Sequence, residues 1–251
     1  MTDLFHGWIE PARYGRTFHA RAPADAAALD LLSNHIEVPV SAEVLDQGPI
    51  GSCVVQACAL GAEALATRSK TVPERPSRRW LYYKAREAIG TVDEDSGSIA
   101  GDALVALRAG WVPEAKYPHN HDWATWLATP PEPREDAPFL LNSEALPNDV
   151  PTVLFELAQG SLVVAGLRID AGWEAPGEFL AGPAGSPKGG HCVLIRGYQR
   201  AGRDVVVLVR NSWSAAWGKG GEAWMPAEWL SIAHCGELHA MRVVRNPASR
   251  R

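Results

Sequence analysis

A cysteine at the start of a predicted helix is the strongest candidate nucleophile in this sequence. Cys53 follows a glycine-broken loop and begins the apolar segment 53–67. The first N–H groups of a helix have no intrahelical acceptor and the helix dipole is positive there. We therefore expect Cys53 to have a lower pKa than a free thiol. Because the thiolate is the reactive form of cysteine, this position predicts nucleophilic chemistry at Cys53.

A nucleophile of this kind needs a base and a group that orients the base. Two positions downstream have suitable side chains in strand-like surroundings. His191 follows two glycines and enters an apolar, β-branched run, and Asn211 follows the predicted strand 204–210. A neutral amide can hold an imidazolium ring without acting as a second base. The sequence therefore predicts a Cys-His-Asn triad of Cys53, His191 and Asn211.

An oxyanion hole is predicted from the loop before the nucleophile. Gln47 lies six positions upstream of Cys53, so the loop can fold its side-chain amide back towards the sulfur. The backbone N–H of Cys53 and the amide of Gln47 would then both donate to the tetrahedral oxyanion.

These blocks, in this order and at these intervals, resemble the papain-like cysteine protease family, specifically its bacterial members. The similarity extends from about Val38 to Val244. The segments that carry it are Gln47, Gly51-Ser52-Cys53, Gly190-His191, Asn211-Ser212-Trp213, Trp217-Gly218 and Gly220-Gly221. Two positions depart from the family pattern. Val54 replaces a common Trp and Ser214 replaces a common Gly, which puts the shape of the substrate subsites in question.

The resemblance implies an α+β, papain-like fold of two lobes with the active-site cleft between them. We expect an N-terminal extension (1–37), a mainly helical lobe with the nucleophile (38–150), and an antiparallel β-barrel-like lobe with His and Asn (151–251). It also implies that Gly97, Ser98, Gly190 and Trp213 contact substrate. Trp213 would in addition shield the hydrogen bond between His191 and Asn211.

The activity that the resemblance implies is cysteine endopeptidase hydrolysis of polypeptides through an acyl-thioester. Two alternatives remain open. A Cys/His acyltransferase or deamidase would share the acyl-thioester and differ in what resolves it, and a catalytically silent module would use the cleft only to bind peptides.

Composition limits the partners and the compartment. The 251 residues are 46% hydrophobic with a formal net charge of −5, and no segment clusters basic residues, which argues against nucleic acid as a partner. The N-terminus lacks a signal-peptide pattern and no run approaches about 18 apolar residues, so we expect cytoplasmic synthesis without membrane insertion. Four cysteines without the spacing of a disulfide framework favour a reducing compartment.

We expect no cofactor, and His119-Asn120-His121-Asp122 is interpreted as a solvated loop rather than a metal site.

An active peptidase without a signal peptide or a folded prodomain must be restrained in the cell that makes it. One solution is a delivered bacterial effector or toxin with a cognate inhibitor or immunity protein, exported without a cleavable signal. Residues 1–37 are too short for a folded prodomain. We interpret them as a structural extension, with the alternative that they lie across the groove.

Hydrophobic patterning and turn residues predict the elements that must position these residues. The predicted helices are 52–67, 78–89, 100–109 and 151–159, with a further helix-prone segment at 24–32. The predicted strands are 161–167, 191–198, 204–210 and 238–244.

Overall fold

The structure is a computed structural model, and it describes residues 7–15, 32–69, 74–132, 140–202 and 204–244. The helix-prone segment 24–32 lies almost entirely outside these residues. The α-helices of the described part are α1 (Cys53–Arg68), α2 (Arg78–Glu87), α3 (Ala100–Ala109), α4 (Trp123–Trp126) and α5 (Val150–Ala158). Within the described residues, none of these helices is long and apolar enough to cross a membrane.

The β-strands form one antiparallel sheet. They are β1 (His35–Glu37), β2 (Leu140–Ala145), β3 (Leu162–Ile169), β4 (Gly189–Ala201), β5 (Asp204–Arg210), β6 (Glu222–Pro226) and β7 (Cys235–Val244). Their order is β2-β7-β3-β4-β5-β6, with β1 also paired to β4. The α+β class is confirmed. The sheet is not closed into a barrel, because among the described strands β2 and β6 lie at opposite ends of this order.

Strand β3 separates two hydrophobic cores. Because side chains alternate across a strand, Leu162 and Val164 join the core around α1, whereas Val163 and Ala165 join the core on the opposite face of the sheet. Burial on both faces explains why β3 is a continuous apolar run rather than an alternating one.

Helix α1 is the central element of the first core. Nearly every residue from Cys53 to Ala66 is buried, as the all-round apolar pattern predicts. One end of this helix meets the start of β4, so the fold brings the nucleophile candidate to the strand that carries His191.

Local signals in the sequence set two of the helix ends. The hydroxyl oxygen of Ser77 accepts a hydrogen bond from the N–H of Trp80 and caps α2, as predicted. Helix α3 ends at Ala109, before Gly110, which also matches the prediction.

The division into residues 1–37, 38–150 and 151–251 stays a prediction. β1 pairs with β4, and β2 pairs with β7, so the sheet includes strands from all three segments.

Candidate active site

Cys53 and the strand that carries His191 are in direct contact. Cys53 is the first residue of α1, and the backbone N–H groups of Cys192, Val54 and Cys53 lie near enough to its sulfur to oppose the rise of the thiol pKa. Cys192 is the residue after His191 in β4. Two segments that are distant in sequence therefore meet at the sulfur.

Asn211 holds the ring of His191. Nε2 of His191 lies 2.7 Å from Oδ1 of Asn211 and both side chains are buried. Since an amide oxygen only accepts, Nε2 is the protonated ring nitrogen and Nδ1 is free to accept a proton. The ring of Trp213 packs against His191 with 4.3 Å between centroids. The role of Trp213 in shielding the hydrogen bond between His191 and Asn211 stays a prediction.

Gln47 is fixed by a residue that sequence reasoning did not select. Its Oε1 accepts a hydrogen bond from the Ser212 hydroxyl at 2.8 Å, and its backbone N–H donates to the Ser212 carbonyl at 2.9 Å. Its Nε2 donates to the carbonyl of Ile50 at 3.0 Å, inside the loop that leads to Cys53. Ser212 therefore orients the Gln47 amide, and its place between Asn211 and Trp213 is the signal that could have revealed this role.

Residues 7–9 lie across the nucleophile. A Cβ atom built on Gly7 would lie 2.5 Å from the Cys53 sulfur, so the backbone of Gly7 is in contact with it. The N–H of Ser98 donates to the Gly7 carbonyl at 2.9 Å, and the N–H of Ile9 donates to the Ser98 carbonyl at 2.9 Å. For residues 7–9 this contact fits the alternative interpretation of the N-terminal segment, that it lies across the groove, better than the favoured one of a structural extension.

Three of the four residues predicted to contact substrate, Gly97, Ser98 and Gly190, contact this segment. The N–H of Trp8 lies 3.4 Å from the Gly190 carbonyl, opposite the hydrogen bonds to Ser98. Gly97 has a φ of +83°, and a Cβ there would approach the Gly7 carbonyl oxygen to 2.8 Å. Residues 7–9 thus form a short segment between the two walls of the cleft, with an isolated β-bridge between Trp8 and Ser98.

Burial changes the electrostatics of the site. Cys53 is fully buried, and burial raises the pKa of its thiol to about 12 despite the nearby backbone N–H groups, which favour the thiolate. Burial also lowers the pKa of His191 to about 4, which outweighs the hydrogen bond to Asn211. The expected low pKa of Cys53 is therefore wrong for this covered arrangement, in which both groups are neutral near pH 7.

The carboxylate of Asp95 ties the nucleophile loop to the wall at Gly97. Asp95 accepts hydrogen bonds from the N–H of Gly51, at 3.0 and 3.1 Å, and from the hydroxyl of Tyr82 at 2.6 Å. The N–H of Gly97 in turn donates to that hydroxyl at 2.9 Å. These contacts fix the spacing between Cys53 and the predicted substrate-binding backbone.

The histidine loop has no metal-binding geometry in the described part of the chain, where no three His, Cys, Asp or Glu side chains are grouped to hold an ion. His119 packs its ring against Trp126 at 5.3 Å between centroids. Burial lowers its pKa to about 4. This histidine is therefore partly a core residue rather than the solvated one expected.

Comparison with known proteins identifies what this arrangement resembles. The chain is similar to xylellain, a cysteine protease from Xylella fastidiosa, with a TM-score of 0.83, 25% identity and coverage of 96% of both chains. It is also similar to a recombinant stem bromelain precursor, with a TM-score of 0.73, 18% identity and coverage of 97% of this chain and 80% of that one. An uncharacterized peptidase C1-like protein of Acanthamoeba polyphaga mimivirus is 25% identical over 220 residues, which cover 78% of this chain and 68% of the viral protein.

No family model matches the chain. The similarities to solved structures and to the viral protein nevertheless confirm the resemblance to papain-like cysteine proteases. With it they confirm the papain-like fold and the hydrolase class predicted from the sequence.

Proposed function

We propose that the protein is a cysteine endopeptidase in which Cys53 attacks the carbonyl carbon of a peptide bond. The observation that carries this proposal is the hydrogen bond of 2.7 Å between His191 and Asn211. His191 lies on β4, and the backbone N–H of the next residue, Cys192, lies beside the Cys53 sulfur and favours its thiolate form. A base oriented by an amide beside a helix-terminal thiol is the arrangement that nucleophilic catalysis by cysteine needs.

In the proposed reaction, Nδ1 of His191 takes the proton of the Cys53 thiol, and the thiolate adds to the carbonyl. Imidazolium then gives this proton to the leaving amine, which leaves an acyl-thioester on the sulfur. Water, with His191 as general base, hydrolyses the thioester and restores the thiol. Asn211 keeps the ring in position through both steps.

The oxyanion that forms in each addition would be stabilised by the backbone N–H of Cys53 and by Nε2 of Gln47. One N–H of Nε2 is used by the Ile50 carbonyl, and the second is free to point at the oxyanion. Removal of one such donor typically costs about 10²–10³ in kcat.

Turnover requires residues 7–9 to leave the cleft, because Cys53 is fully buried beneath Gly7. The structure therefore corresponds to a covered form of the proposed enzyme. Substrate backbone would then take the positions of residues 7–9 against Gly97, Ser98 and Gly190.

A peptide library tests the function. A Gly7→Ala chain, designed to weaken the cover, is incubated with the library, and a Gly7→Ala/Cys53→Ala chain is the control. Hydrolysed peptides with the first chain and none with the second are expected. Product masses that show only transferred or deamidated peptides would contradict hydrolysis, and no product from either chain would contradict enzymatic function.

The role as a delivered effector or toxin with a cognate inhibitor rests on the restraint that a cytosolic peptidase requires. Residues 7–9 are themselves such a restraint, so a partner protein would act only after they are displaced. Expression of the Gly7→Ala chain in a bacterial cytosol should be toxic and its Cys53→Ala form harmless. Equal growth of both strains would contradict the toxin proposal.

A further inference from the structure

The side chain of Trp8 fills a pocket beside the nucleophile. Trp8 follows Gly7, the residue over the Cys53 sulfur, and it is only 6% exposed. Its indole N–H donates to Oε2 of Glu237 at 2.9 Å. The pocket therefore holds the side chain next to the residue that occupies the reacting position.

Glycines make room for the indole ring. A Cβ atom on Gly166 would lie 2.2 Å from Nε1 of Trp8, and one on Gly236 would lie 2.7 Å from the ring carbon Cη2. Neither position could carry a side chain while the ring is present. The pocket is thus wide and flat, with walls of backbone.

The floor of the pocket is a buried carboxylate with one acceptor position left for the occupant. Oε1 of Glu237 accepts from the N–H of Gly101 at 2.7 Å and faces Nε2 of His239 at 2.8 Å. Oε2 accepts from the N–H of Ala100 at 3.1 Å and from Trp8. A carboxylate has about four lone-pair sites, so the indole N–H completes the set.

From this geometry we propose that the Trp8 pocket is the specificity pocket of the proposed peptidase, that Glu237 is its specificity-determining residue, and that the preferred substrate side chain is tryptophan. This inference rests on the proposed function. A substrate residue with a flat apolar body and one N–H at its far end would reproduce the contacts of Trp8 after residues 7–9 leave.

The existing donors favour a neutral side chain over a cationic one. Two backbone N–H groups at the start of α3 and the ring of His239 already stabilise the charge of Glu237. One further donor is needed, and a guanidinium group would bring donors that find no acceptor there. An apolar side chain without a donor would leave the fourth acceptor position unfilled in a buried site, which is costly.

The pocket can be tested without catalysis. In a Cys53→Ala/Trp8→Ala chain the nucleophile is absent and the pocket is empty. Binding of indole, of indene, which has the same shape without the N–H, and of n-butylguanidinium is measured by calorimetry. The control is the Cys53→Ala chain with Trp8 in place, which should bind none of them.

We expect indole to bind at least about tenfold more tightly than indene or butylguanidinium, the difference that one buried hydrogen bond gives. Equal binding of indole and indene, tighter binding of butylguanidinium, or no binding to a cooperatively folding chain would each overturn the proposal. Should the double variant not fold, Trp8→Phe keeps the ring and removes the donor. Its Cys53 should then be alkylated by iodoacetamide about tenfold faster than in the wild type, and an unchanged rate would overturn the proposal.

A second arm separates this inference from the proposed function. A positional-scanning peptide library is cleaved with the Gly7→Ala chain. Tryptophan should be selected within two residues of the cut. Cleavage without that selection would overturn the specificity of the pocket and leave the peptidase intact, whereas indole binding without any cleavage would support the pocket and contradict the peptidase.

Discussion

The backbone of Gly7 lies directly on the sulfur of Cys53, so close that a Cβ atom at position 7 would be 2.5 Å from the sulfur. The same Cβ would lie 3.0 Å from the carbonyl oxygen of Gly51. Any side chain at position 7 would therefore push residues 7–9 away from the nucleophile, and only glycine allows this close contact.

Gly7→Ala should uncover Cys53. The added methyl group cannot be accommodated between the sulfur and the Gly51 carbonyl, and overpacking of this kind costs about 1–3 kcal/mol. This cost falls on the covered form alone, so alkylation of Cys53 by iodoacetamide at pH 7 should become about tenfold to a hundredfold faster.

The matched control is Gly177→Ala, because a Cβ at Gly177 would meet no atom within 4 Å. Its alkylation rate should equal that of the wild type. An unchanged rate in Gly7→Ala would contradict the covering role of residues 7–9.

Ser212→Ala should lower kcat by about fivefold with little change in KM. The substitution removes the hydroxyl that donates to Oε1 of Gln47 at 2.8 Å. The loss of one such hydrogen bond costs about 1 kcal/mol. Gln47→Ala should lower kcat further, by about 10²–10³, because it removes the proposed oxyanion donor itself. Steady-state kinetics in the Gly7→Ala background give both values, and a rise in KM without a loss of kcat would argue for a role in binding instead.

Tyr82→Phe should lower the free energy of unfolding and weaken substrate binding. The hydroxyl of Tyr82 donates to Asp95 and accepts from the N–H of Gly97, so its loss leaves the buried N–H of Gly97 and an oxygen of the exposed Asp95 without this partner. The expected cost is about 1–3 kcal/mol in urea unfolding. Because the wall at Gly97 loses its anchor, KM for peptides should also rise.

Tyr83→Phe is the control for this change, since Tyr83 is the next residue of α2 and is only half-buried. It should alter the free energy of unfolding by less than about 0.5 kcal/mol. Equal effects of the two substitutions would contradict the anchoring role of Tyr82.

The stability of the covered form should fall in acid because of His191. Its pKa is about 4 in the covered form, below the value of about 6.5 for an unperturbed histidine. Between these values the unfolded chain binds a proton that the folded chain does not, so the free energy of unfolding decreases as the pH falls from about 6.5 towards 4.

Urea unfolding at pH 7 and pH 5 measures this effect. The loss between the two pH values should be about 2 kcal/mol larger in the wild type than in His191→Gln, which has no titrating group at this position. His119 and the carboxylates are common to both chains and cancel in the comparison. The same pH dependence in both chains would show that His191 is not buried as a neutral ring.

Much of this architecture follows from local signals in the sequence. Three local signals predict the ends of three helices to within two residues. They are the cap at Ser77 for α2, the stop at Gly110 for α3 and the all-round apolar pattern of α1. Strand β5 has the predicted bounds, and the contact between His191 and Asn211 follows from the antiparallel pairing of β4 with β5.

The features that sequence reasoning missed depend on tertiary contacts. Strands β1 and β6 are short, and β6 has the sequence EAWMP, which carries no clear alternation. Glu237 lies within β7, and nothing in the neighbouring sequence indicates the four hydrogen-bond donors that surround its carboxylate. The raised pKa of Cys53 arises from burial, and an argument from the helix terminus alone does not include the tertiary contacts that bury the residue.

The most direct test of the account is the hydrolysis of a fluorogenic peptide library by the Gly7→Ala chain with and without the sulfur of Cys53. Activity with Cys53 intact, stoichiometric inactivation by an epoxide that labels Cys53, and loss of activity in Gly7→Ala/Cys53→Ala are predicted. Hydrolysis that continues at an equal rate after Cys53→Ala would contradict the central claim that this thiol is the nucleophile.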